Sequence, residues 1–154
     1  MTTFDKYLQA VLDRAELEAR EDGSATVEAQ HVLLAVAVQD GTDAQRALDS
    51  AGLDHAALKD ALYREFEHSL SAAGVSLREF DLPRATQDPA RRPQLGASFK
   101  LALERMAAVH RKKDLRSGHL LLGILQAEVG TVPRALAMAG VDRTDLIERV
   151  RGEL

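Results

Sequence analysis

The sequence predicts an all-α fold built from two tandem four-helix repeats related by a pseudo-twofold axis. Three observations predict it. Ala and Leu dominate an apolar set that makes up 45% of the 154 residues, while aromatics reach only 4% and Trp is absent. That palette suits close-packed helices better than the short strands of a sandwich or barrel. Apolar residues recur at helical spacing along most of the chain. The chain also matches itself. His31-Val32-Leu33-Leu34-Ala35-Val36 returns as His119-Leu120-Leu121-Leu122-Gly123-Ile124, and at that same offset Arg46-Ala47-Leu48 returns as Arg134-Ala135-Leu136. Ala51-Gly52-Leu53-Asp54 returns as Ala139-Gly140-Val141-Asp142, with Leu58 opposite Leu146. Upstream, Leu12-Asp13-Arg14-Ala15 pairs with Leu103-Glu104-Arg105-Met106 at an offset three residues larger, so the second copy has the shorter loop before its histidine. A loop deletion between intact elements is what a structural duplication tolerates.

In the first copy, Phe4, Tyr7, Leu8, Val11, Leu12, Ala15 and Ala19 hold the spacing of one helical face, and Gly23-Ser24 breaks it. The next helix is expected to begin near Thr26, a good N-cap, and from Val32 to Val38 it is apolar almost all round, which belongs at the centre of a bundle. A short third helix around Ala44 to Ser50 should end at Gly52, where a left-handed residue is cheapest. Asp54 then caps a fourth helix carrying Leu58, Leu62, Phe66 and Leu70. In the second copy Phe99, Leu103 and Met106 mark the outer helix, Leu120 to Leu125 the buried one, and Leu146, Ile147 and Val150 the last. Gly140 and Asp142 repeat the earlier punctuation. Between the copies periodicity fails, and Pro83, Pro89 and Pro93 stand among Arg84, Arg91 and Arg92, which predicts a surface linker over roughly 74–94. Repeat one then covers about 1–73 and repeat two about 95–154, and each is too one-sided to bury its apolar face alone. The expectation is a single domain over 1–154.

With no Cys there is no disulfide framework, thiolate metal site or cysteine nucleophile. The N-terminus runs straight into an amphipathic pattern without a signal-like apolar core, and no apolar run approaches a membrane span, so a cytoplasmic location is expected. The 20 Lys+Arg against 24 Asp+Glu give a net charge of -4, which argues against general nucleic-acid or membrane-surface binding. No Gly is followed by Lys, so there is no P-loop.

Two tandem repeats, each with a histidine opening a Leu-Leu run and continuing into Ala-Gly-hydrophobic-Asp, resemble the N-terminal repeat domain of the Clp/Hsp100 unfoldases, of ClpC-like type. The resemblance implies a non-catalytic module that recruits client proteins, peptides and adaptors to an ATP-driven Clp unfoldase or protease. Some members bind phosphorylated arginine, and actinobacterial relatives are targets of cyclic peptide antibiotics. It also implies a hydrophobic peptide and antibiotic groove, whose positions fall here on Phe4, Leu12, Leu95, Lys100 and Glu104, with Leu95 where the family has an aromatic. One position departs from the pattern twice. The family's phosphoarginine sites place a glutamate directly before each histidine, and this chain has Gln30 and Gly118. A carboxylate accepts a bidentate pair from a guanidinium, which an amide matches poorly and a glycine not at all. With both acceptors gone and no ATPase in the sequence, the resemblance leaves a stand-alone, actinobacterial-type relative or a piece of a longer unfoldase, and the loss of both glutamates favours the former as the expectation.

Other clusters read as structural. His31 and His119 each stand alone at the start of a buried helix, without a second ligand at helical spacing, so no metal and no cofactor is expected. A hydrogen bond from the ring to the backbone at the helix start is the expected role. Glu16, Glu18, Glu21 and Asp22 read as a solvated helix end, and Arg111, Lys112, Lys113 and Arg116 as solvated charge that could hold a phosphate or acidic peptide. Gly41-Thr42 and Gly130-Thr131 are turns. Phe4 divides evenly between a groove anchor and a hydrophobic staple on the first helix. The competing function is a nucleic-acid-binding regulator using the linker arginines and the 111–116 loop. An enzyme ranks last, because no nucleophile, metal set or phosphate loop is present.

Overall fold

The computed structural model describes residues 1–74 and 92–154. Among these the chain forms eight α-helices and a two-residue strand pair. Helices α1 (Thr3–Glu21), α2 (Ala29–Ala37), α3 (Asp43–Ser50) and α4 (His55–Ala72) make the first set, with strand β1 (Thr26–Val27) ahead of α2. Strand β2 (Gln94–Leu95) then leads into α5 (Ala97–Val109), α6 (Ser117–Leu125), α7 (Thr131–Met138) and α8 (Arg143–Glu153). A single 3₁₀ turn, Lys112–Asp114, lies between α5 and α6. Of the expected linker, Pro83, Arg84, Pro89 and Arg91 lie outside the described residues.

The two central helices are those the repeat pattern marks. Every residue of α6 is buried, and in α2 all but Gln30 are. They touch each other at the middle, with α1 laid on α2 and α5 on α6. The remaining helices cross over: α4 of the first set packs on α7 of the second, and α3 on α8. Each set therefore completes the other's core, and exchanging first-set for second-set partners leaves the pairing unchanged, which is pseudo-twofold packing.

The repeated arginines secure these crossings. Arg134 Nε on α7 donates to Glu65 Oε1 on α4 at 2.9 Å, and Arg46 Nε on α3 donates to Glu153 Oε2 on α8 at 3.2 Å. Glu65 and Glu153 are separated by the same offset as the two arginines. Glu65 is buried and also accepts from Ser69 Oγ at 2.7 Å, so its charge is paired where burial would otherwise penalise it.

Local signals place the ends. Thr2 and Asp5 form a reciprocal capping box on α1. Asp54 accepts from Ala57 N–H at 2.8 Å and Asp142 from Asp145 N–H at 3.1 Å. Gly52 and Gly140, just past α3 and α7, take φ of +74° and +72°, as a left-handed helix stop requires. Gly123 serves packing instead. A Cβ there would collide with the Ala102 carbonyl oxygen, so its absence lets α5 and α6 meet backbone to backbone.

Two details depart from the sequence expectation. Thr26 does not cap α2, because it belongs to β1, which pairs in parallel with β2 in the register Thr26 with Gln94 and Val27 with Leu95. The helix begins three residues later, at Ala29, with Glu28 as its N-cap. On α4, Leu58 is buried and Leu62 and Leu70 half-buried, but Phe66 is exposed.

Candidate functional site

The starts of the two central helices are built alike. In the first, the Glu28 N–H donates to His31 Nδ1 at 2.9 Å; in the second, the Arg116 N–H donates to His119 Nδ1 at 2.8 Å. Each ring reaches back from the third helical position to the N-cap N–H, the part a Glu or Gln plays in a capping box. A bond joins ring and backbone at the expected place, but it runs opposite to the expected direction, with the backbone N–H donating and the ring accepting. Both imidazoles are buried, and the bond satisfies an N–H that the helix leaves open.

Their outer nitrogens differ. His31 Nε2 lies 3.0 Å from Asp22 Oδ2, and the ring holds the Asp22 carboxyl below its ordinary value. His119 instead lies against the His110 ring, with centroids 4.1 Å apart. Burial first, then His110 and Arg116, lower the proton affinity of His119, against the opposing pull of Asp114 and Asp43.

A reciprocal latch joins the start of α2 to the start of α5. Glu28 Oε1 accepts from the Ser98 N–H at 3.2 Å and the Ser98 hydroxyl at 2.8 Å, and Oε2 accepts from Thr26 Oγ1 at 2.6 Å. Ser98 Oγ in turn accepts from the Ala29 N–H at 2.8 Å. Each helix thus has an open N–H capped by a side chain of the other set. Burial pushes the Glu28 carboxyl up, but these hydrogen bonds outweigh it and hold it below its ordinary value. The carboxylate fills the space beside Gly96, where a Cβ would collide with it. The start of α6 is secured differently. Ser117 Oγ accepts from the Ala44 N–H at 3.1 Å, and Arg116 and Arg46 both pair with the buried Asp43 carboxylate. Tyr7 faces Ser117 and Asp43 from α1, and burial raises its phenol well above the ordinary value.

The expected groove positions fall into two groups. Leu95 lies on β2, and Lys100 and Glu104 lie one turn apart on α5, all exposed, with Leu101 as a further exposed apolar side chain of α5. Phe4 and Leu12 belong to α1, whose main partner is α2. Phe4 is only 8% exposed, its ring 6.0 Å from that of Tyr7, and Leu12 is half-buried against the core. The ring belongs to the core; it is not the expected staple, because Phe4 is the second helical residue after the cap Thr2 and a staple would use the positions before the cap and four into the helix. Gln30 is half-buried at the start of α2, while Gly118 lies under α8, where a Cβ would meet Leu154 Cδ2 at 2.9 Å and Val150 Cγ1 at 3.4 Å.

The acidic cluster at the end of α1 is solvated at Glu21 and Asp22, both exposed, but not at Glu18. Glu18 is buried and accepts from Arg14 Nε at 3.0 Å and from His55 Nε2 at 2.6 Å, with Lys59 Nζ 3.6 Å from its other oxygen. Burial raises its carboxyl and those partners, outweighing it, lower it. Glu21 pairs with Lys59, Asp22 with His31 and Glu16 with Arg92. These carboxylates fasten α1 to its neighbours, and only contacts distant in sequence reveal it. Of the basic cluster, Lys112 pairs with Asp5 at 3.4 Å and Arg116 with Asp43, while Arg111 and Lys113 are exposed. Among the described residues no three His, Asp or Glu side chains converge as a metal site, and no helix is long and apolar enough to cross a membrane.

The family model for the Clp repeat N-terminal domain matches residues 3–112, from the start of α1 to the turn after α5. No curated protein matches the chain.

Proposed function

The chain belongs to the Clp repeat N-terminal domain family, and from that premise we propose that it is a non-catalytic recognition module whose working surface is the outer side of β2 and α5. Family domains of this kind act in substrate and adaptor binding within the Clp system. The observation that supports the location is the exposed set Leu95, Leu101, Lys100 and Glu104, apolar anchors beside two charges on a helix held rigidly by α6 and by the Glu28–Ser98 latch. Recognition surfaces draw most of their energy from a few apolar anchors, while rim charges set orientation and association rate. The ligands we propose are unfolded client segments, adaptors or other Clp components, and cyclic peptide antibiotics. Leu95→Ser should weaken a client or antibiotic complex by about 1 to 3 kcal/mol with little change in melting temperature, and Lys100→Ala by less. Titration calorimetry of the intact chain and both variants tests this. Unchanged affinity in Leu95→Ser would move the surface elsewhere.

Phosphoarginine is not among the ligands proposed. Gln30 offers no charge to a guanidinium, and the Gly118 position has no side chain and lies beneath Leu154. Calorimetry with free phosphoarginine should give no binding, and Gln30→Glu should raise affinity more than Gly118→Glu, which has to displace Leu154. Tight binding by the unmodified chain would show that other groups hold the ligand.

A further inference from the structure

The two histidine-capped starts share a cap and differ in what faces the other ring nitrogen. Because Nδ1 accepts the backbone N–H in both, the ring proton lies on Nε2. At His31 a second proton would produce an imidazolium beside the Asp22 carboxylate. At His119 it would produce one beside a second imidazole, His110, which stands the same number of positions ahead of its partner as Asp22 does. In either ring that proton occupies Nδ1 and removes the cap.

We propose that the start of α6 is an acid-sensitive catch, in which protonation of His119, packed against the His110 ring, breaks the Arg116-to-His119 cap and loosens residues 111–119. The charged groups around His119 are His110 at the end of α5, Arg116 and Asp114 in the intervening loop, and Asp43 at the start of α3. Val150 of α8 and Leu154 just after it lie over Gly118 in this first turn with apolar side chains. Asp43 is already shared between Arg46 and Arg116. The catch holds a whole surface strip, since Lys112 ties the loop to Asp5 on α1 and Arg116 ties it to α3. Its release would expose the first turn of α6 and free the basic side chains of the loop.

The direction of the effect follows from linkage. Folding lowers the proton affinity of His119 below its ordinary value of 6.5, so the stabilisation is complete above about pH 6.5 and is lost as the pH falls below it. The carboxylates whose values are lowered, Asp5, Asp22, Glu18 and Glu28, start from 3.8 to 4.5 and act only in stronger acid, so the two windows separate.

The test is amide hydrogen exchange on the full chain at pH 7.5 and 5.5, corrected for intrinsic rates and comparing the first turn of α6 with that of α2. Exchange at α6 should quicken relative to α2 by several-fold, up to about tenfold, the limit for a group that is about ten parts protonated to one in the opened state. His119→Gln keeps a neutral side chain able to reach the N-cap N–H and should abolish the change. His110→Asp places a carboxylate beside the ring and should shrink it, so the idea remains testable if His119→Gln misfolds. An unchanged ratio in the unmodified chain overturns the proposal. So does an acid response that persists in His119→Gln or is unaffected by His110→Asp.

Discussion

Leu34→Ala or Leu122→Ala is expected to cost the fold about 2 to 5 kcal/mol, the usual range for truncating a well-packed core leucine. Both side chains lie on the central helices, at 4% and 9% exposure. Helix α2 is surrounded by α1, α3, α4, α5, α6 and α7, so the space left by a missing isobutyl group has rigid walls and cannot collapse cheaply. Leu122, the more exposed of the two, should fall at the lower end. Denaturant unfolding measures both, with Leu17→Ala on exposed α1 surface as the control. Losses near 0.5 kcal/mol, the size of a surface effect, would show that α2 and α6 are not the centre.

Phe4→Ala should act on stability, by about 3 kcal/mol, and only weakly on recognition. The ring is buried beside Tyr7 in the first turn of α1 and belongs to the same core as α2 and α6. A chain that melts early but, while folded, binds its client with near-normal affinity is the expected result. A normal melting temperature with a large loss of affinity would return Phe4 to the recognition surface.

What the sequence made legible divides along physical lines. The repeat exposed the helix order, the two buried helices, the glycine stops and the aspartate caps, because each depends on residues a few positions apart. The histidines were legible as cap formers for the same reason. The crossed pairing of α3 with α8 and α4 with α7 was less visible, although Glu65 and Glu153 carry it at the same offset as Arg46 and Arg134. A search for charges repeating opposite to the repeated arginines would have found it. The Glu28–Ser98 latch and the burial of Glu18 have no such signal. They join residues far apart in the chain, and a glutamate in an acidic run looks the same whether water or His55 faces it. The start of α2 was misplaced because Thr26 is a good cap by propensity, and pairing with Gln94 overrides that preference.

Recognition of clients through β2 and α5, as proposed for this Clp-family domain, is open to an amide-shift titration of the labelled intact chain with a permanently unfolded client protein. Saturable shifts centred on Leu95, Lys100, Leu101 and Glu104, weakened in Leu95→Ser, are the expected result. No binding at high micromolar client, or shifts confined to the basic loop at 111–116, would contradict it.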